Sequence, residues 1–160
     1  MATQAIYEKR GTSVTLVNTG GDKTLNLRNM GFGAGQLSAF IDRGAGAAPA
    51  DYELRCYASW IATPVAGETL NIAACQSDGT HTDAGLTYHA TSGAALTLAQ
   101  FNALRLAGTI IVHTADTNEK GSTLRIRVTS RYFAIGAYNA SAAKNLTDSD
   151  SVSAVIVTPI

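Results

Sequence analysis

The stretch DYELRCYASWIA, residues 51–62, sets Tyr52, Leu54, Cys56 and Ala58 on one side of an extended chain and Glu53, Arg55, Tyr57 and Ser59 on the other. A period of two marks a strand, because successive side chains in a pleated backbone point to opposite faces. Similar runs, rich in Val, Ile, Thr and Tyr and bounded by turn formers, return as SVTLVN (13–18), KTLNLR (23–28), QLSAFID (36–42), ETLNIAACQS (68–77), GTIIVHTA (108–115), STLRIRVTS (122–130), RYFAIGAYN (131–139) and SVSAVIVTP (151–159). No βαβ rhythm interrupts them, so the expected fold is all-β: a β-sandwich or jelly roll of about eight or nine strands with one short helix. A closed up-and-down barrel is the alternative.

Local signals refine this layout. TGGD (19–22) separates the first two runs and predicts a hairpin, since glycine tolerates positive φ. In TLAQFNALRL (97–106), Thr97 can cap a helix whose apolar face carries Leu98, Phe101, Leu104 and Leu106. The stretch 78–93, DGTHTDAGLTYHATSG, is dense in turn formers and reads as a long excursion over the surface. The closing SVSAVIVTPI puts Val152, Ala154 and Ile156 on one face and Val155 and Val157 on the other. It is expected to pair beside an early strand near the middle of a sheet, Pro159 ending the ladder. Val155, Val157 and Ile160 are the residues expected to touch a neighbouring subunit.

With 160 residues the chain most simply forms one β-sandwich domain over 13–160, preceded by an N-terminal arm over 1–12. Only 15% of the residues are charged, and twelve basic side chains balance twelve acidic ones. No overall field then steers the molecule to nucleic acid or an anionic membrane, and neither is an expected partner. Arg125, Arg127 and Arg131 alternate onto one strand face, which reads as a solvated face before a nucleic-acid site. The first eleven residues lack the apolar core of a signal peptide and no run is long enough to span a membrane, so synthesis without export by the general route is expected. Cys56 and Cys75 lie in apolar runs and read as buried thiols, and the sequons at Asn139 and Asn145 as accidental.

Candidates for chemistry are thin. His81 and His89 share the 78–93 excursion with Asp78 and Asp83, but their spacing fits no familiar ligand signature, and solvent-facing loop histidines are the plain reading. His113 reads as a strand histidine with a local hydrogen bond. Asp148 and Asp150 read as turn carboxylates. GFGAG (31–35) would need a following helix to cradle phosphate, yet a strand run follows, so its glycines point to a turn where backbones approach closely. Trp60, Tyr57, Tyr88, Tyr132, Phe133 and Tyr138 are expected to pack in the core, a sugar-binding platform being the alternative. No enzyme activity and no cofactor or metal are expected.

The order of TSVTLVNTGG, a Gly/Ala-rich middle, YELRCYASW, the 78–93 excursion, RIRVTSRYFAIGAYNAS and a closing AVIVTPI resembles the small jelly-roll virion proteins of tailed bacteriophages, the head decoration or cement class. The resemblance runs along nearly the whole chain as composition and strand order, with no catalytic or ligand motif to carry over. It implies a protein of the virion, made in the host bacterial cytoplasm, that forms a homo-oligomer, with a trimer favoured, and binds the major capsid protein from outside. Such proteins use terminal arms to clamp capsomers, which would fall here to Ile6 and Tyr7 as apolar anchors beside Lys9 and Arg10. Two other roles remain open: a receptor- or glycan-binding module of a tail or fibre, and a tail-tube or connector subunit.

Overall fold

The computed structural model describes residues 12–17, 23–61, 65–89, 92–111, 120–142, 144–147 and 154–160. Along the chain run β1 (Val14–Val17), β2 (Lys23–Thr24), β3 (Gly35–Leu37), β4 (Ile41–Asp42), β5 (Ala50–Ala58), β6 (Thr69–Ser77), β7 (Ala94–Leu96), α1 (Leu98–Asn102), β8 (Arg105–Ile111), β9 (Lys120–Val128), β10 (Tyr132–Asn139) and β11 (Ala154–Pro159). Two sheets hold them, in the orders β2-β1-β11-β5-β9 and β7-β3-β10-β6-β8, with β4 also on β10. Setting aside the short β2, β4 and β7, the eight remaining strands lie as first-eighth-third-sixth in one sheet and second-seventh-fourth-fifth in the other. That wrapping is a jelly roll, two Greek keys rolled into a sandwich. The expected all-β sandwich is thus found, with eleven strands because QLSAFID divides into β3 and β4 and because β7 adds to the edge.

Leu54, Cys56, Val155, Val157 and Val128 of the first sheet meet Leu70, Ile72, Phe133 and Ile135 of the second in one buried cluster. In β5 the core face reads as expected, with Tyr52, Leu54, Cys56 and Ala58 buried; on the other face Arg55 is exposed and Tyr57 half-buried, but Glu53 and, just past the strand, Ser59 are buried at 8% each. In β6 and β10 nearly every residue is buried. The second sheet has a second core on its outer face, where Ala73, Cys75, Ala134 and Tyr138 pack with Phe40, Leu96, Phe101 and Leu104.

Two elements cover that outer face. Thr97 caps α1 as expected: its hydroxyl accepts the Gln100 amide at 3.2 Å while Gln100 Oε1 accepts the Thr97 amide at 2.9 Å. The helix is shorter than the apolar spacing suggested. Phe101 and Leu104 turn inward, whereas Leu98 is exposed and Leu106 already belongs to β8. The 78–93 excursion is more than a surface detour. Ala84, Leu86, Tyr88 and Tyr132 pack against the second core, and the Tyr88 ring lies 4.9 Å from Phe40 and 5.2 Å from Tyr132.

The expected hairpin between the first two runs is replaced by a parallel pairing, Leu16 opposite Lys23 and Val17 opposite Thr24. Beyond β2 the chain enters the core, where Leu25, Leu27 and Met30 are buried. Burying those side chains outweighs the tight turn that TGGD would allow, because each full burial is worth roughly 1.5–3 kcal/mol.

A side chain also links the two sheets. Gln76, at the end of β6, accepts with Oε1 from the amide and hydroxyl of Thr129 and the amide of Ser130, at 2.7, 3.2 and 3.1 Å, just past the end of β9. It is 6% exposed. Gln76→Ala is expected to lower stability by about 0.5–1.5 kcal/mol, since it removes part-buried hydrogen bonds whose donors lie on the exposed Thr129 and the half-buried Ser130, and urea denaturation reads the change. A loss under about 0.5 kcal/mol would show that water satisfies them as well.

Candidate interaction surface

The described parts of three loops meet at one end of the sandwich: 28–34 before β3, 59–61 and 65–68 between β5 and β6, and 140–142 and 144–147 after β10. Asn139 and Asn145 knit them together. The Asn139 side chain, fully buried, donates to the carbonyls of Met30 (3.1 Å) and Lys144 (2.8 Å) and accepts from the Ser141 amide (3.2 Å). Its amide is thereby committed to structure, in keeping with an accidental sequon. Asn145 accepts from Phe32 N through Oδ1 (3.3 Å) and from Ile61 N through its carbonyl (3.0 Å). Leu146, buried, bridges Trp60, and Thr147 N donates to Ser59 O at 2.9 Å. The Glu68 carboxylate accepts from Val65 N (2.8 Å) and Ala142 N (2.9 Å).

From this braced floor rise three large apolar side chains, Phe32 (56% exposed), Ile61 (56%) and Val65 (63%). Each is tied to this floor through its backbone amide, Phe32 and Ile61 to Asn145 and Val65 to Glu68. Sequence reasoning passed them over, because each stands alone in its run and only the fold brings their loops to one end. The GFGAG run behaves as expected: Gly33 turns at φ 70°, and a Cβ on Gly35 would come 3.0 Å from the Leu96 carbonyl, a close backbone approach.

The other candidates are dispersed. Val155 and Val157 were expected to touch a neighbouring subunit, but β11 is the third of five strands, and both point into the chain's own core at 0% and 1% exposure. That burial corrects the expectation and removes them from any outer surface. On the other face of the strand Ile156 is half-buried and Thr158 buried. Ile160 remains 37% exposed, with its amide bonded to Asp51 O at 3.1 Å. Ile6, Tyr7, Lys9 and Arg10, and likewise His113, Asp148 and Asp150, lie outside the described residues.

His81 Nδ1 lies 3.5 Å from Asp78 Oδ2, both exposed, while the amides of His81 and Thr80 bond the Asp78 carboxylate and hold its pKa below the usual value. Asp83 accepts from Gln76 N, and His89 lines a crevice of about 100 Å³ beside Gln100. Among the described residues no three His, Cys, Asp or Glu side chains gather as a metal site. Burial pushes both thiols up to about 12, with the Asp83 carboxylate adding to the effect at Cys75; both cysteines are free and buried.

The expected arginine face divides. Arg125 and Arg127 stand exposed on β9, while Arg131 forks onto Asp42 at 2.8 and 2.7 Å and stacks over Tyr132. That fork, helped by the Gly44 amide, holds the Asp42 carboxyl down at about 2. Of the aromatics weighed for a sugar platform, Trp60, Phe133 and Tyr138 are buried, and the Tyr88 and Tyr132 rings are engaged with each other.

The fold class is therefore an all-β jelly-roll sandwich with a second, lidded core. Compared with known proteins, the chain matches no family model, no curated protein and no solved structure.

Proposed function

We propose that this chain is a structural virion protein of the head decoration or cement kind, seated on the outside of an assembled capsid shell by the end of the sandwich that carries Phe32, Ile61 and Val65. The observation that carries the reading is the bracing of three loops by Asn139 and Asn145 around side chains left more than half exposed. A binder of this kind works by mass action: it meets the assembled shell and not its separate parts, so its binding free energy adds to the assembled state. Being already partly buried, each of the three side chains adds on docking about half of the roughly 1.5–3 kcal/mol that full burial is worth, a modest gain per copy. Assembly as a homotrimer multiplies it, since three linked ends engage neighbouring capsomers together. A rigid floor also limits the entropy lost on docking.

Co-sedimentation of the purified chain with empty assembled shells tests the reading. The chain is expected to pellet with shells, and the double variant Phe32→Ser, Ile61→Ser to bind at least about tenfold more weakly with its fold intact. Absence of shell binding, together with adherence to host cells, would overturn it in favour of a receptor- or glycan-binding module. A closed ring in solution in place of a trimer would favour a tail-tube or connector subunit.

A further inference from the structure

One flank of the sandwich is built differently from its ends. β8 and β9 are the outermost strands of their sheets on the same side, and among the described residues neither has an outer neighbour. Free edges offer unpaired N–H and C=O groups, which proteins commonly blunt with charge. Here β8 carries a single exposed charge, Arg105, beside the exposed Leu106 (65%) and Ile111 (45%). Between the two edges lies a cleft of about 110 Å³ lined by Gln76, Arg105, Leu106, Arg125 and Arg127, among others.

The charges of this cleft are unequal. Arg127 is shared with Asp51 at 3.1 Å, and Glu53, which faces Arg125 across the strand pair, is engaged by Arg55 at 2.9 Å. Arg105 and Arg125 are exposed, and among the described residues no carboxylate pairs with either. Gln76, 6% exposed, also lines the cleft, and its side-chain oxygen accepts from Thr129 and Ser130.

We infer that this flank receives an extended acidic segment of a partner protein, which adds as a strand to the free edge of β8 and places a carboxylate in the cleft against Arg105 and Arg125. Backbone pairing on an edge gives affinity, and the side-chain pocket selects the sequence. A second copy of this chain is a poorer occupant, because it would bring arginines against arginines. The inference stands apart from the shell-binding reading: it uses a different face and is read without shells.

The test is fluorescence anisotropy of the purified chain with the labelled peptide TVEVEVT, beside the neutral TVSVSVT. The acidic peptide is expected to bind at least about tenfold tighter than the neutral one, and the variant R105Q/R125Q to lose about tenfold, with unchanged thermal stability because both side chains are exposed. Binding should fall as NaCl is raised to about 0.5 M. Amide NMR shifts of the unaltered chain on adding peptide should map to residues 105–111, which keeps the test decisive if the variant folds poorly. No binding, equal binding of the two peptides, shifts centred elsewhere, full competition by millimolar inorganic phosphate, or self-association through β8 in place of peptide binding would each overturn the inference.

Discussion

Deleting residues 155–160 is expected to yield an insoluble or unfolded chain. This segment is most of β11, which pairs with β5 from Ala154–Tyr57 to Pro159–Tyr52 and with β1 from Val14–Val157 to Leu16–Val155. Without it β1 and β2 are cut off from the rest of their sheet, because β11 is the strand that joins them to β5. Leu16, Leu54 and Cys56, all at 0% exposure, would lose Val155 and Val157 as cover. Removing two such valines alone sacrifices a few kcal/mol of burial, about as much as a marginally stable domain can spare. Far-UV circular dichroism and solubility on expression read the outcome. A soluble chain with a cooperative thermal transition at the full-length temperature would show that the strand is dispensable.

Phe133→Ala is expected to destabilise by about 3–5 kcal/mol, the usual range for emptying an aromatic site in a close-packed core. Phe133 is fully buried on β10, between β3 and β6 in the sheet, and its ring lies 4.8 Å from that of Tyr52 on the opposing sheet. The change therefore removes a contact that joins the two layers and leaves a cavity between strands that cannot collapse freely. For a domain of this length the melting temperature should fall by about 6–20 °C. Phe133→Leu, which refills most of the volume, should cost clearly less, and urea denaturation of the pair gives both values. A drop of less than about 1 kcal/mol for the alanine variant would mean that the layers are not packed as described.

What could be read from sequence was the strand content and, for β5, the facing of each side chain. Period two survives there because one face is core and the other is only partly covered, with Arg55 exposed and Tyr57 half-buried. In β6 and β10 the signal fades into nearly continuous burial, since α1 and the stretch carrying Ala84, Leu86 and Tyr88 cover the outer face. That covering was itself partly legible: Thr82, Ala84, Leu86 and Tyr88 are half-buried and alternate with the exposed Asp83, Gly85 and Thr87. Turn-forming residues masked the pattern. A near-central place for β11 beside an early strand followed from its apolar character, its position between β1 and β5 did not, and the assignment of Val155 and Val157 to an outer contact did not survive, because a central strand turns its most apolar face to its own core.

The candidate surfaces lay beyond reach of the sequence for a different reason. Phe32, Ile61 and Val65 are single apolar residues in separate loops, each indistinguishable from a core residue until Asn145 and Glu68 fix the loops at one end. Arg105, Arg125 and Gln76 come from three strands, and only the rolling of the two sheets brings the edges of β8 and β9 to a common flank.

The central claim, that the braced apolar end seats this chain on a shell, is tested most directly by an electron-microscopy map of the particle whose genome encodes it. The account predicts trimers on the outside of the head, with Phe32, Ile61 and Val65 buried against the major capsid protein. Density for this chain in the tail, or on the head with those three side chains facing solvent, would contradict it.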